Sequence, residues 1–525
     1  MTAIARRQCL ADLLRRSAAR APDRLAIVCG ETRWTYAEFD ALVSRLAAGL
    51  ASVGVQPGDR VAALARNSHA FAALRFALAR MAAVFVPVNF MLNAKEVAFI
   101  LGHAGARFLA TDTGLAETAR AARALAPTVE KTIWLPSEEA SERPADMLDF
   151  GALAACGDPP PEVEMGEQDL LQIVYTSGTE SLPKGAMLTH QAVIWQYSSV
   201  VMGLEIAADD LLVHPMPLFH CAQLDAFLGP GVYVGATNVI TAKPTPDNLL
   251  PMIEKFRATG CFAPPTIWIG LLRSPLFDKA DLSSLRKGYT GASIMPVPVL
   301  LELAERLPKM RIWNVYGQTE IAPCATALGP EDQLRKAGSC GKPLLNVETR
   351  VVDLEMNDVR LGEIGEVVHR SPHLMTGYFR DDERTSQAFE GGWFHSGDLA
   401  TIDAEGFITI VDRKKDMIKS GGENVASREV EEALYKMPAI SEIAVVGVPH
   451  PVWIEAVVAV VVLKNGHAAT EDEVLDYARE RLAHFKTPKR VLFVDALPKN
   501  PSGKLLKRQL RDAHAKLFGG GASMA

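Results

Sequence analysis

Short apolar runs alternate with longer stretches of helical period through most of the chain. Leu25–Cys29, Arg60–Ala65, Val84–Val88 and Arg107–Thr111 are such runs, rich in Val, Ile, Leu and Ala. This alternation predicts an α/β fold, layered sheets and helices with largely parallel strands. Thr35 followed three residues on by Glu38 predicts a capped helix start. Leu170–Val174 reads as a further buried strand. The stretch from Pro136 to Glu167, rich in Pro, Glu and Asp, reads as a surface connection.

Past Thr409–Val411 the pattern changes. A charged run, Asp412 to Asp416, is followed by a segment that reads as a small α+β unit. Its expected strands are Ile443–Val448, Val457–Leu463 and Val491–Val494. Its expected helices are Ser427–Lys436 and Glu471–His484. At 525 residues the chain is too long for one ordinary core. The expected division is a large N-terminal domain, residues 1–414, and a small C-terminal domain, residues 415–525. The basic, amphipathic N-terminus with Arg6, Arg7, Arg15 and Arg16 is read as a first surface helix, because Asp12 and Asp23 interrupt any transit-peptide pattern.

Composition narrows the function classes. A hydrophobic content of 48% and a charged content of 22% are those of an ordinary globular protein. The net charge of −7 gives no reason to expect nucleic acid or an anionic membrane as partner. Residues 486–508 are a local exception, with seven basic residues and one acid, Asp495. They read either as solvated surface or as a lid facing a polyanion. No integral membrane segment is expected, since the best apolar stretch, Ala70 to Met91, contains Arg75 and Arg80. Seven scattered cysteines without a C-x-x-C pair argue against zinc and fit reduced thiols in a cytoplasmic protein. Cys221 and Cys324 fall near the motifs below, but no catalytic thiol is expected.

Five motifs carry chemistry. Tyr175-Thr-Ser-Gly-Thr-Glu-Ser-Leu-Pro-Lys-Gly185 follows the strand Leu170–Val174. Its hydroxyls, its glycine and Lys184 make a phosphate cradle. It is not a Walker loop, because no Gly-Lys-Ser/Thr opens a helix. Asn314-Val-Tyr-Gly-Gln-Thr-Glu320 offers an aromatic face for a purine and one carboxylate suited to Mg²⁺ beside polyphosphate. Gly392-Trp-Phe-His-Ser-Gly-Asp398 with Asp412-Arg413 offers a carboxylate and a guanidinium to a ribose, or a turn with a surface ion pair. Ser420-Gly-Gly-Glu-Asn424 permits close backbone approach by a thin ligand, or simply a tight turn. Pro498-Lys-Asn-Pro-Ser-Gly-Lys504 is an exposed turn ending in a lysine.

In this order and spacing the five motifs resemble the adenylate-forming superfamily of acyl-CoA synthetases, peptide-synthetase adenylation domains and beetle luciferases. The resemblance runs from about Leu10 to Leu517. It implies a large N-terminal adenylation domain, a mobile C-terminal lid hinged at Lys415, and ATP, Mg²⁺ and coenzyme A as the cofactors. It further implies that Thr176, Ser177, Gly178, Thr179 and Lys184 hold the phosphates. Gly291, Ala292, Ser293, Tyr316 and Gly317 would line the adenine pocket. Thr319 would touch the α-phosphate, and Glu320, with Thr176, would hold Mg²⁺. Asp398 and Arg413 would grip the ribose. Gly421 and Gly422 would border the pantetheine tunnel, and Lys504 would reach the α-phosphate and the carboxylate.

The implied reaction needs no strong base, since a carboxylic acid is already ionised at neutral pH. Cations and fixed N–H donors do most of the work as charge builds on phosphoryl oxygens. Glu180-Ser181 departs from the Thr-Gly that the superfamily usually carries there, and Ala426-Ser427 replaces a frequent Tyr-Pro. His220, in Met216-Pro-Leu-Phe-His220, resembles the acid–CoA ligases, whereas amino-acid-activating relatives carry an Asp. An AMP-forming acid–CoA ligase is therefore expected, acting on a small-molecule carboxylic acid. An acyl-AMP ligase loading a carrier protein and a scaffold that has lost catalysis are the alternatives. A homodimer is compatible with the sequence. The pocket stretches Cys221–Leu228, Gly291–Ile294 and Ile321–Cys324 are mostly small and apolar, with no Lys or Arg. They favour a medium- or long-chain fatty acid, with an aryl acid such as coumarate or benzoate as the alternative. If Gln223 and Asp225 face the pocket, a hydroxylated acid becomes attractive.

Overall fold

The computed structural model describes residues 6–176, 183–293, 295–421, 423–499 and 505–518. The chain forms two compact units. The first comprises Met1–Glu348 and His369–Phe394, and the second Thr349–Val368 and His395–Ala525.

The first unit holds two large sheets. The eight-stranded sheet runs Gly377–Tyr378, Lys184–Thr189, Leu170–Thr176, Val84–Pro87, Arg60–Leu64, Phe108–Thr111, Lys131–Trp134, Leu148–Asp149. The nine-stranded sheet runs Lys342–Pro343, Cys324–Leu328, Arg311–Gly317, Lys287–Gly291, Gly260–Phe262, Leu211–His214, Thr237–Ile240, Leu25–Cys29, Thr32–Thr35. Interior neighbours are parallel, and antiparallel pairs are confined toward the ends, as the alternating pattern predicts. The helix Tyr36–Ser52 starts at Thr35, whose side chain accepts from the Glu38 N–H while Glu38 accepts from the Thr35 N–H at 2.8 Å. The N-terminal helix is Leu10–Arg20, and it buries Leu10, Leu13, Leu14 and Ala18 against the core. The segment expected as a plain connection contains the strand Leu148–Asp149 and a helical turn, Phe150–Ala154. Phe150, Leu153 and Ala154 are buried, and the Asp149 carboxylate caps the turn. Three apolar residues on one turn outweigh the polar composition around them.

A buried charge network ties these layers together. Arg75, on the helix His69–Arg80, pairs with Asp225, and both are almost wholly out of solvent. Arg75 also donates to Gln172 Oε1 at 2.9 Å and to the Tyr197 hydroxyl at 2.9 Å. Gln172 Nε2 donates in turn to Asp225 Oδ2 at 2.7 Å, and the Tyr197 hydroxyl to Oδ1 at 3.3 Å. Burial opposes the Arg75 charge, but Asp225 and the hydrogen bonds outweigh it, so its pKa moves up. Burial pushes the Asp225 carboxyl above its ordinary value, against the donors that surround it. A glycine is required beside this network, because a Cβ on Gly229 would lie 1.9 Å from the Tyr197 hydroxyl oxygen.

The second unit has its own cores. Glu348–Val352, Gly365–Arg370, Phe394–Ile402 and Ile408–Arg413 form a four-stranded sheet. A five-stranded sheet contains Glu423–Val425, Ile418–Ser420, Ile454–Leu463 and Ile440–His450, with Arg490–Phe493 parallel to Ile454–Leu463. The expected strands and the helices Ser427–Tyr435 and Glu471–Arg479 are present. The predicted helix to His484 stops at Arg479, and the chain makes a separate 3₁₀ turn at His484–Lys486. A further helix, Lys507–His514, is anchored by Lys507, which pairs with Glu431 at 2.8 Å and donates to Ser427 Oγ at 2.6 Å. Ser427 Oγ donates to Asp412 at 2.7 Å. Burial opposes the Lys507 charge, but Glu431 and Asp412 outweigh it and its pKa moves up. Among the described residues no helix is long and apolar enough to cross a membrane.

Removing one partner of a buried ion pair strands the other charge. Arg75→Met is therefore expected to destabilise the protein by about 3–5 kcal/mol. The double variant Arg75→Met/Asp225→Leu is expected to recover a large part of that loss. Chemical denaturation of the three proteins measures the difference, and equal losses in both variants would contradict a dominant charge penalty.

Candidate active site

The strand Leu170–Thr176 turns back as Lys184–Thr189, and the antiparallel register sets Thr176 opposite Lys184. The two flanks of the phosphate motif are thus fixed side by side, whereas Ser177, Gly178 and Thr179 lie outside the described residues. Tyr175 is pinned at the strand's end by a 2.7 Å hydrogen bond between its hydroxyl and His103 Nδ1. Lys184 Nζ lies over the Tyr378 ring, 5.0 Å from its centre. The Tyr378 hydroxyl donates to Glu320 Oε1 at 2.9 Å. Lys184, on the eight-stranded sheet, is therefore joined through Tyr378 to Glu320, just past the end of the Arg311–Gly317 strand of the nine-stranded sheet.

Glu320 sits in the 3₁₀ turn Thr319–Ile321, and its carbonyl accepts from the Met375 N–H at 2.8 Å. Thr319 Oγ1 lies 3.4 Å from Cys221 Sγ, which brings the Glu320 turn against the helix that starts after His220. His220 caps that helix, its Nδ1 accepting from the Ala222 N–H at 3.1 Å. Gly291 is paired with Val315 on the adjoining strand, and a Cβ there would meet the Val315 carbonyl oxygen at 2.7 Å. Ala292 and Ser293 are exposed just beyond it, and Tyr316 is half-buried on the neighbouring strand. Gly317 is equally constrained, since a Cβ there would lie 2.0 Å from the Pro323 carbonyl oxygen. These glycines let neighbouring backbone pack closely at the carboxyl ends of their strands, where such sheets place their sites.

Gln223 and Asp225 are both engaged by other parts of the fold. Asp225 belongs to the Arg75 network. Gln223 accepts from the Met216 N–H at 3.1 Å and is 2.8 Å from His214 Nδ1. Both are spent on structure. Burial pushes the Cys324 thiol up to about 12 and raises Cys221 too, so neither supplies a thiolate at neutral pH.

In the second unit, Asp398 and Arg413 face each other in the register of Phe394–Ile402 with Ile408–Arg413. Arg413 Nε lies 3.3 Å from Asp398 Oδ1. Lys415 is exposed in the turn that follows, and its carbonyl accepts from Arg511 at 3.5 Å. Gly421 turns with φ +63° between Ile418–Ser420 and Glu423–Val425, its N–H donating to the Trp453 carbonyl at 2.9 Å. Gly422 and Lys504 lie outside the described residues. Lys499 and Leu505, on either side of the Lys504 segment, pair as a β-bridge.

Glu320 fits a divalent cation shared with phosphate oxygens. Among the described residues only the Tyr378 hydroxyl reaches its carboxylate, and no cluster of three His, Cys, Asp or Glu exists that would hold a metal by itself. Mg²⁺ usually takes one or two carboxylates and completes its shell with water and substrate. Tyr378 was missed in the sequence: Gly377-Tyr378 is a two-residue strand among loops, with no local pattern to mark it.

Residues 14–379 match the AMP-binding enzyme family, and residues 429–504 match the AMP-binding enzyme C-terminal domain. The chain is 38% identical over 496 residues to the feruloyl-CoA synthase of an Amycolatopsis species, covering 94% of this chain and 97% of that protein. It is 35% identical over 506 residues to the long-chain-fatty-acid–CoA ligase FadD13 of Mycobacterium tuberculosis, covering 96% and 98%. Its fold superposes on the anthranilate CoA ligase AuaEII in complex with anthranoyl-AMP with a TM-score of 0.89 at 27% identity, covering 97% and 98%. With both of the family's domains matched in order, and with the Thr176–Lys184 hairpin, the Glu320 turn and the Asp398–Arg413 pair in place, the chain belongs to the AMP-binding enzyme family and is an AMP-forming acid–thiol ligase that works with ATP, Mg²⁺ and coenzyme A.

Proposed function

We propose that the acid is a planar aryl acid of the hydroxycinnamate class, converted to its CoA thioester through an acyl-AMP. The observation that carries the choice is the make-up of Cys221–Leu228. Ala222 and Ala226 leave width, and Phe227 lies stacked on Phe262 with ring centres 4.5 Å apart and an angle of 16°. The stretch carries no Lys or Arg to pair a second carboxylate. The higher identity to a feruloyl-CoA synthase supports the same reading. A medium- or long-chain fatty acid is the second reading. It is supported by the apolar lining and by the likeness to a long-chain ligase.

In the first half-reaction the acid's carboxylate attacks the α-phosphorus of ATP and pyrophosphate leaves. Thr176 and Lys184 hold the phosphates from the two sides of the hairpin, with Ser177, Gly178 and Thr179 between them. Tyr378 orients Glu320 by the hydrogen bond to Oε1. Glu320 and Thr176 would hold Mg²⁺, which would supply positive charge beside the phosphate oxygens. Thr319 and Lys504 stabilise the α-phosphate as charge builds on it. Gly291, Ala292, Ser293, Tyr316 and Gly317 take the adenine, and Asp398 with Arg413 takes the ribose. In the second half-reaction the CoA thiol, giving up its proton, attacks the acyl carbonyl of the acyl-AMP, the acyl–phosphate bond breaks and AMP leaves. His220 borders the reacting carbonyl, and Gly421 and Gly422 border the pantetheine. Lys415 is the hinge on which residues 415–525 turn between the two half-reactions. Residues 1–414 then form the adenylation domain.

The acid class is tested by kcat/KM across coumarate, benzoate, octanoate, palmitate, acetate and malonate, with acyl-CoA as the measured product. Coumarate is expected to lead. A lead for palmitate or octanoate would replace the aryl reading with the aliphatic one. An acyl-AMP that accumulates without passing to CoA would point to a carrier-protein substrate.

Glu320→Gln is expected to raise the Mg²⁺ concentration needed for half-maximal pyrophosphate exchange. Tyr378→Phe removes one hydrogen bond to a charged group and is expected to lower kcat/KM by roughly 10-fold while shifting the same titration less. Unchanged Mg²⁺ titrations in both variants would remove Glu320 from the metal site.

Lys504→Ala is expected to reduce acyl-AMP formation by roughly a hundredfold or more, the scale of losing an electrostatic stabiliser. Thioester formation from supplied acyl-AMP is expected to persist. Equal loss in both half-reactions would contradict a role confined to adenylation.

A further inference from the structure

His103 sits in the last turn of the helix Ala94–Ala104, beside the phosphate motif rather than within it. The end of that helix is firmly held. Arg60 donates to the Ala104 and Gly105 carbonyls at 2.9 and 3.0 Å, and Arg380 donates to the His103 carbonyl at 3.1 Å. Cations there satisfy the last carbonyls, which the helix itself leaves open. The His103 ring is fixed as well. It stacks on Phe99 with centres 5.6 Å apart and stands edge-on to Phe379 at 5.9 Å.

From this base Nδ1 reaches the Tyr175 hydroxyl at 2.7 Å. Burial raises the Tyr175 pKa, so the hydroxyl keeps its proton and donates. Burial and the nearby Arg380 lower that of His103, so the neutral ring accepts. Tyr175 pairs with Gly185, and the next pair, Thr176 with Lys184, is the last rung of the ladder. The Tyr175 ring lies across that glycine, since a Cβ on Gly185 would be 3.1 Å from Tyr175 Cζ. The Gly185 carbonyl in turn accepts from the Phe379 N–H at 2.8 Å. His103 thus bears on the strand ending in Thr176 through Tyr175, and on the strand opening at Lys184 through Phe379. A last rung has ladder bonds on one side only, so a side-chain clamp one rung back is what can fix its spacing. A binding constellation depends on such support to within about 0.5 Å.

We propose that His103 is a positioning residue for nucleotide binding, holding through the Tyr175 hydroxyl the spacing that Thr176 and Lys184 need to grip phosphate. The proposal rests on the reading of those two residues given above.

The test measures ATP–pyrophosphate exchange, with the acid that leads the panel above, in Tyr175→Phe, His103→Leu and His103→Asn. Lys184→Ala is the control on the phosphate reading. Tyr175→Phe and His103→Leu are expected to raise the KM for ATP by about 5-fold, the scale of one net hydrogen bond. The KM for the acid is expected to stay unchanged. Thioester formation from supplied acyl-AMP, which carries no pyrophosphate, is expected to keep the wild-type rate. His103→Asn puts an amide oxygen where Nδ1 stands but removes the ring. It is expected to lower the Tm yet keep the ATP KM near wild type. An ATP KM at the wild-type value in Tyr175→Phe would overturn the proposal. So would equal loss in both half-reactions with a lower Tm in Tyr175→Phe and His103→Leu, which would make the contact a structural strut. So would an ATP KM in His103→Asn as high as in His103→Leu. An unchanged ATP KM in Lys184→Ala would overturn the phosphate reading itself, and this proposal with it.

Discussion

The Arg75–Asp225 pair is the constraint on which the architecture of the first unit turns. A guanidinium and a carboxylate removed from water are stable only where every remaining donor and acceptor is met. Here the partners come from four separate places in the chain. Arg75 is on a helix beside the eight-stranded sheet, and Gln172 is on the strand that leads to Thr176. Tyr197 is on the helix His190–Gly203, and Asp225 is five residues past His220. The strand leading to Thr176 and the helical stretch after His220 are thus held to one another by a single polar knot. Displacing Arg75 or Asp225 would strand a buried charge, and displacing Gln172 or Tyr197 would leave that pair short of hydrogen bonds, so the packing has little freedom to drift.

A second polar centre does comparable work in the other unit. Lys507 meets Glu431 and Ser427, and Ser427 meets Asp412, so the Lys507–His514 helix is fastened to the strand that carries Arg413. The segment containing Lys504 is bracketed by the Lys499–Leu505 bridge on both sides and by this anchor after it. Each unit therefore carries its own buried charge network and its own apolar cores.

Much of this was legible in the sequence because the relevant information is local. The Thr35–Glu38 cap, the strand before Thr176 and the make-up of each motif depend on residues a few positions apart. Tyr378 was not legible, since its partners Lys184 and Glu320 are remote and its own strand is two residues long. In the sequence Arg75 is only a charge that interrupts an apolar run, because its meaning lies in a carboxylate 150 positions away. Asp225 and Gln223 look like pocket residues in the sequence for the same reason, since their partners are remote. Likewise, pairing of Glu348–Val352 and Gly365–Arg370 with Phe394–Ile402 and Ile408–Arg413 is long-range. No local pattern announces that residues 349–368 group with the C-terminal part of the chain.

The knot around Arg75 also sets the grain along which this protein can be re-engineered. Grafting a relative's Cys221–Leu228 stretch to import a new acid preference would bring along that relative's residue at the Asp225 position. The donor's residues at positions 75, 172 and 197 would have to travel with it. The inheritable cassette for the pocket is therefore discontinuous in sequence, and a crossover placed anywhere between Arg75 and Asp225 divides it.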